Sequence, residues 1–416
     1  MWYPSPKHIS RVYFGALIVA AAGVHFSPAL SSIGLIIMIA VGVGVLLGEA
    51  SERRLRNLQI AFLGLMGVML ILDMFAGNSI QGSFSAIQVM IPWFFLPAIC
   101  VVPKILPSYP EKLLMVLAIP LWWISGASML NYTADFEFLS QMVLESKPLP
   151  LYTEVYHIEF SLLLTVVLLG MTFVFSEVLV KKAGFTFYSI YILLFISLHM
   201  VSARTGLLSY WLGMGIWVIY QLKSKSVWQK IKPIYAIGIF IFILISLMQI
   251  PSLKNRMVNT TEDLRVLVNG GDVNHKSLGQ RVEAWKAIMG IIAQPDNFLT
   301  GVGSTQFESV LFESYERQNS KLFLSNRIGP HNQTLQWMAT YGFPVTVIWY
   351  ALLIVLLGSQ LGLMGSLMLG VPIWAASMFE SIAQRQAGTL SVILVCAVFQ
   401  TIVQYRENNK KISAIN

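Results

Sequence analysis

Residues Ser31–Gly48 read SSIGLIIMIAVGVGVLLG, eighteen positions without a single charge. A spanning helix needs roughly 20 mostly apolar residues, so this stretch reads as a membrane helix. Moving outward, eleven more apolar runs follow the same logic: 12–28, 58–78, 84–103, 113–131, 155–179, 185–202, 206–222, 233–250, 333–357, 361–379 and 387–404. Backbone in lipid must satisfy its own hydrogen bonds, and strands of a barrel would be about half as long and alternate apolar with polar. The expected fold is an all-α integral membrane protein of about twelve transmembrane helices.

Composition agrees. Of 416 residues, 56% are hydrophobic and 12% charged, the latter about half the share of a soluble domain. The mean hydropathy is +0.68. These values exclude a cytosolic enzyme, a DNA-binding protein and a disordered scaffold. The net charge of +8 therefore reports topology before partners and is no argument for nucleic acid. Cys100 and Cys396 lie in apolar runs without a CxxC or Cys/His neighbour, which reads as two small buried hydrophobes. Met1 to Arg11 is polar and no small-residue cleavage site follows the first apolar run, so that run is expected to stay as a helix.

With the N-terminus in the cytoplasm, the inner loops hold 16 Lys and Arg, and the short outer loops hold only Lys147, Arg204 and Arg385. The positive-inside rule favours that arrangement, with both termini cytoplasmic. Residues 1–250 then carry nine spans, 251–332 a large outer loop, and 333–416 three spans and a cytoplasmic tail. Residues 132–154 make a smaller acidic outer loop. The large loop holds 17 of the 48 charged side chains, so function is expected there. Gly279–Gln294 places Val282, Trp285, Ile288, Met289 and Ile292 on one helical face, ended by Pro295. Gly301-Val302-Gly303 reads as a tight turn. Thr305 and Glu308 fit a capping box for a helix to about Arg317. The loop is expected to form a small helical cap.

Chemistry-bearing residues gather at the outer surface. His331, in Pro330-His331-Asn332, can accept a hydroxyl proton near neutral pH; equally, Asn332 caps a helix and His331 fills the turn. Arg281 is either a solvated cap-helix residue or a two-point phosphate ligand. Arg204, in Ser202-Ala203-Arg204-Thr205-Gly206, either binds headgroups or marks a functional site. Arg327 and Arg385 join this set. Arginines there suit an anionic lipid-linked substrate such as a polyprenyl diphosphate, because they offset charge on a leaving diphosphate without a metal.

Other motifs are weaker. Asp135-Phe136-Glu137 offers a divalent-ion alternative, and Asp272 with His275 a poorer one. Gly301-Val302-Gly303 lacks the context of a nucleotide loop. Asp73, His157 and Glu159 lie at outer helix ends, as caps or cavity walls. His25 and His199 are expected to be buried and paired. The aromatics read mostly as lipid-facing or packing residues, with the Trp122-Trp123 pair a candidate exception.

The order Ser202–Gly206, Arg281…Trp285, Gly301–Gly303, Pro330-His331-Asn332 and then Leu335–Gly342 resembles the bacterial O-antigen ligase and polymerase superfamily. The signature covers roughly residues 185–400. The resemblance implies a metal-independent glycosyltransferase with no cofactor, on the periplasmic face of the inner membrane. The donor would be a glycan on undecaprenyl diphosphate and the acceptor a sugar hydroxyl of lipid A–core. His331 would be the base. Arg204 and Arg281 would hold the diphosphate, with Asn332 as a further substrate contact and Arg327 and Arg385 as contacts of no firm motif position. A polymerase, with a second lipid-linked glycan as acceptor, is the nearest alternative. A twelve-helix transporter fits the span count but not the outer position of the charge.

Overall fold

A computed structural model describes residues 6–48, 52–101, 110–144, 147–174, 185–223 and 251–386, with 388, 389, 392, 393, 396, 397 and 400. Every regular element among them is helical. Among the described residues six helical stretches are long and apolar enough to cross a membrane: His8–Phe26, Pro28–Gly48, Arg53–Phe75, Ile80–Ile99, Leu114–Ala134 and Phe343–Leu361. His157–Thr172, Phe185–Val201 and Gly365–Ser377 are apolar but shorter. Arg204–Lys223, richer in Gly, Tyr and Trp, falls in neither group. The span expected at 233–250 and most of that at 387–404 lie outside the described residues.

Helices α1 (Pro6–Phe26) and α2 (Pro28–Gly48) pack as a hairpin. A Cβ on Gly34 would meet Ala20 N at 2.5 Å, so glycine is what lets the two backbones approach. Helix α3 (Arg53–Phe75) follows.

The expected fourth span is not a regular helix. It runs as α4 (Ile80–Ile87), a 3₁₀ turn, then the one-turn helices α5 (Ile91–Phe94) and α6 (Leu96–Ile99). Pro92 and Pro97 cause the break, since neither can donate to the helical ladder. The freed backbone is satisfied from α3. Gln59 Nε2 donates to Phe94 O at 2.8 Å, and Ala98 N donates to Gln59 Oε1 at 3.1 Å.

Next come α7 (Pro110–Ala134), α8 (Phe136–Leu144), α9 (His157–Val174), α10 (Phe185–Val201) and α11 (Arg204–Lys223). The cap comprises α12 (Pro251–Val268), α13 (Ser277–Ile292), α14 (Pro295–Thr300) and α15 (Phe307–Arg317). It has its own apolar core, built on Ala284, Ala287, Ile288, Ile291, Leu311 and Tyr315. The buried face of α13 is therefore rotated from the expected one. Small alanines pack inward, while Met289 is 53% exposed. Pro295 does more than end α13: it opens α14 near its first position, where its missing N–H costs nothing. The capping box does not form. Gln306 is the N-cap of α15 without a side-chain bond, and Thr305 Oγ1 bonds Asn78 Oδ1 instead.

Asn274 fastens the cap internally. Its Nδ2 donates to Lys321 O at 3.0 Å, its Oδ1 accepts from Phe323 N at 2.6 Å, and its carbonyl accepts from Asn326 Nδ2 at 2.7 Å.

The tenth span does not begin at residue 333. A separate helix, α16 (Gln333–Tyr341), ends at Gly342 with φ +84°, and α17 (Phe343–Ser377) starts there. Helix α16 belongs to both layers: Ala339 enters the cap core, while Trp337 and Tyr341 enter the bundle core. Trp337 packs edge-on against Trp349 at 4.6 Å, and Trp349 meets Trp93, Phe62 and Phe94 within 5.7 Å. Although α17 is continuously helical over 35 residues, it is folded back on itself. A Cβ on Gly370 would lie 3.5 Å from Leu357 Cδ1, whereas thirteen residues of straight helix span about 20 Å. The two arms are the tenth and eleventh expected spans, and the second returns the chain to the cap side.

Candidate active site

The cap is pinned to the bundle by a carboxylate. Asp73, at the end of α3 and fully buried, accepts from Ser304 N and, at 2.7 Å, from Ser304 Oγ. Gly301 and Gly303 have φ of +73° and +82°, values that favour glycine. Val302 N and Gly303 N donate to Ala339 O and Thr340 O at 2.8 and 3.0 Å. A Cβ on Gly303 would meet Ala76 Cβ at 2.7 Å. The expected tight turn is thus a three-way clasp between α3, the cap and the end of α16.

The loop before α16 is held from two sides. Trp285 Nε1 donates to Pro330 O at 2.8 Å, and Tyr315 OH donates to Ile328 O at 2.9 Å. His331 itself sits at φ +43°, a left-handed conformation that a non-glycine residue keeps only when its surroundings dictate it. Asn332 then caps α16, its Oδ1 accepting from Leu335 N at 3.0 Å. The sharp turn lifts the His331 side chain away from the helix it precedes.

What His331 meets is Glu380, in the loop after α17. The Glu380 side chain is only 4% exposed; its Oε2 lies 3.1 Å from His331 Nδ1 and its Oε1 lies 2.8 Å from Arg281 Nη2. One buried carboxylate therefore joins the two residues that the sequence singled out. With Nδ1–H donating to the carboxylate, Nε2 carries the lone pair. The loop is fixed by Gln333, whose Oε1 accepts from Ala383 N at 2.8 Å, and by Thr389 Oγ1 donating to Ala383 O at 3.1 Å.

The remaining arginines surround this bridge. Arg204 opens α11 and faces Asp263 Oδ2 at 3.9 Å; Asp263 also accepts from Leu278 N at 3.2 Å. Arg385 lies 3.8 Å from Glu159 and stacks over the Tyr156 ring at 5.2 Å, a favourable cation–π geometry. Arg327 is bound to Glu316 and covers the Tyr315 ring at 5.7 Å.

Two cavities flank the bridge. One of about 250 Å³ is walled by Tyr156, His157, Arg204 and Arg281. The other, about 390 Å³, is walled by His331, Glu380, Arg327 and Arg385. A third, apolar groove of about 420 Å³ runs between the arms of α17, with Trp93 and Trp349 on its wall. Ile382 and Ala383 close it on the side where Ser381 and Gln384 line the polar cavity.

Several sequence candidates lie elsewhere. Asp135 and Glu137 stand at the start of α8, and Asp272 turns back onto Asn274. Among the described residues no three His, Cys, Asp or Glu side chains are grouped to hold a metal. His199 is buried, with Nδ1 2.8 Å from Phe195 O. His25 is buried too, but its Nδ1 has no hydrogen-bond partner, against expectation. Trp122 and Trp123 are 39% and 65% exposed on α7, and both cysteines are free and buried.

Glu380 is the residue that sequence reasoning passed over. Its signal was a single carboxylate at the end of an apolar run, in Ala376-Ser377-Met378-Phe379-Glu380, which is itself a reason to suspect a functional partner.

Residues 189–350 match the family described as O-antigen ligase. That match supports a member of the O-antigen ligase and polymerase superfamily. The matched segment contains Arg204, Arg281, Arg327 and His331 and stops short of Glu380 and Arg385. Members are glycosyltransferase-like enzymes of O-antigen assembly, with polyprenyl-linked glycan and lipid substrates. The family match and the apolar helices together support a multi-pass membrane protein. No curated protein matches the chain.

Proposed function

We propose that this protein is an O-antigen ligase. It is a metal-independent, inverting glycosyltransferase that moves a glycan from undecaprenyl diphosphate to a sugar hydroxyl of lipid A–core. The cap side is the periplasmic face of the inner membrane, as the 16-to-3 distribution of Lys and Arg in the sequence favours. The observation that carries the reading is the Arg281–Glu380–His331 bridge, set between two polar cavities with Arg204 on the wall of one.

The bridge supports a division of labour. His331 Nε2 accepts the proton of the acceptor hydroxyl as that oxygen attacks the anomeric carbon. The anomeric bond to the diphosphate breaks with its electron pair leaving on the phosphate oxygen. Arg204 and Arg281 offset the charge that develops there. Glu380 acts through His331: it orients the ring and stabilises the imidazolium until the proton passes to solvent. Arg385, beside Tyr156, adds positive charge at the junction of the two cavities. Because the donor already carries an activated leaving group, neither nucleotide nor metal takes part.

The test is transfer by purified protein given polyprenyl-diphosphate glycan and lipid A–core in EDTA without nucleotide. Glycan on lipid A is the expected product. Longer polyprenyl-linked glycan would make the protein a polymerase, and activity restored only by Mg or Mn would overturn the metal-free reading.

A further inference from the structure

The two polar cavities differ in chemistry. The one holding Arg204 and Arg281 has no carboxylate on its walls, as a diphosphate requires. The larger one is the opposite kind of site. Glu308 and Glu380 both face it, which disfavours a dianion. The arginines of both cavities face carboxylates, Arg327 and Arg385 to Glu316 and Glu159, Arg281 and Arg204 to Glu380 and Asp263, so the contrast lies in the walls. What the larger cavity offers are neutral hydrogen-bonding groups. Gln336 and Gln384 bond to each other across it, and Ser381 lies between Glu380 and Ile382 on the same turn. Ser381 Oγ and Arg327 Nε, both from residues of its wall, are buried without a hydrogen-bond partner. A buried polar group left unpaired is destabilising unless something supplies the missing bond. Phe312, 37% exposed, adds an aromatic face at the rim.

We infer that this 390 Å³ chamber is the acceptor-sugar site, and that Ser381, Gln336 and Gln384 determine which sugar is accepted. The inference rests on the glycosyl-transfer reading above and adds the place and the readers of the acceptor. Amides and a hydroxyl on a rigid turn, beside an aromatic ring, match a neutral polyhydroxylated ring: they bond its hydroxyls while the ring face packs on Phe312. The pinning of Ala383 by Gln333 keeps Ser381 and Gln384 in register with His331. A hydroxyl of a sugar lodged there opens onto the imidazole, and the diphosphate stays on the far side of the bridge, where Arg204 and Arg281 are.

The experiment uses full-length protein in nanodiscs and the variants Gln384→Leu, Gln336→Leu and, on the rim, Phe312→Ala, each checked for an unchanged elution profile. In the transfer assay the half-saturating acceptor concentration should rise roughly 10-fold for each glutamine variant, the consequence of one or two lost hydrogen bonds. The half-saturating donor concentration should not move. If lipid A–core is not the acceptor and polyprenyl-linked glycan is, the same split should be read on that glycan. Direct binding separates this inference from the reaction itself. Delipidated core oligosaccharide and undecaprenyl diphosphate are titrated separately onto wild type and variants. Loss of oligosaccharide binding with diphosphate binding kept supports the chamber even where no transfer is seen. Weakened diphosphate binding in the glutamine variants, or unchanged binding of both probes in all three, overturns it.

Discussion

Arg281 and Arg204 face the same cavity but are held in different ways. Arg281 lies 2.8 Å from a carboxylate that is 4% exposed, and its own side chain is 19% exposed. Arg204 is 38% exposed and stands 3.9 Å from Asp263. The first is a built part of the protein, its position dictated by Glu380. The second is more exposed and stands farther from its carboxylate.

The largest effect expected from this contrast is at Glu380. Glu380→Ala strands Arg281 and releases His331 together. Breaking a buried pair costs about 3–5 kcal/mol, discounted here because His331 is 29% exposed. Turnover should fall about 10²–10⁴-fold, as for loss of a general base. His331→Ala should fall within the same range, and the double variant should be little worse than either single one. Additive losses in that cycle would separate Glu380 from His331.

A smaller effect is expected at the clasp. Gly303→Ala meets both a φ of +82° and Ala76 Cβ at 2.7 Å, costing about 1–3 kcal/mol. Thermal unfolding should shift down and the cap should become sensitive to protease. A wild-type melting curve would show that the clasp does not hold the cap.

The smallest lies on the Arg204 side. Asp263→Asn removes a partner that is distant and partly screened, so stability should change by less than about 1 kcal/mol. Half-saturating donor concentration, not the maximal rate, is where a change should be seen. A loss of maximal rate as large as that of Glu380→Ala would erase the distinction between the two arginines.

Much of this architecture could be read from the sequence because lipid imposes a simple rule on length and charge. Ser31–Gly48 and its like announce themselves. The broken run at Ile80–Ile99 carried its own warning in Pro92 and Pro97, but not its remedy: Gln59, a helix earlier, was needed to satisfy the backbone. The inward face of α13 was misread because Ala284 and Ala287 pack more closely than Met289 could. Thr305 and Glu308 had the right spacing for a cap, yet Asn78, far off in sequence, claims Thr305. In the site, Arg281 and His331 were named from local motif, whereas Glu380, 49 residues beyond His331, is joined to them only by the hairpin of α17.

The clasp at Asp73 has a bearing on how the protein is made. Asp73 and Ser304 are separated by 231 residues, so α3 leaves the ribosome long before the cap that docks on it. The end of α3 must wait while the intervening helices, α4 to α11 among the described residues, are laid down. Only then can the cap close over it. Glu380 leaves the ribosome later still, so the contacts that join Arg281, Glu380 and His331 cannot form until α17 is complete. A chain whose early helices were inserted the wrong way round would be left with a folded cap and nothing to dock it on.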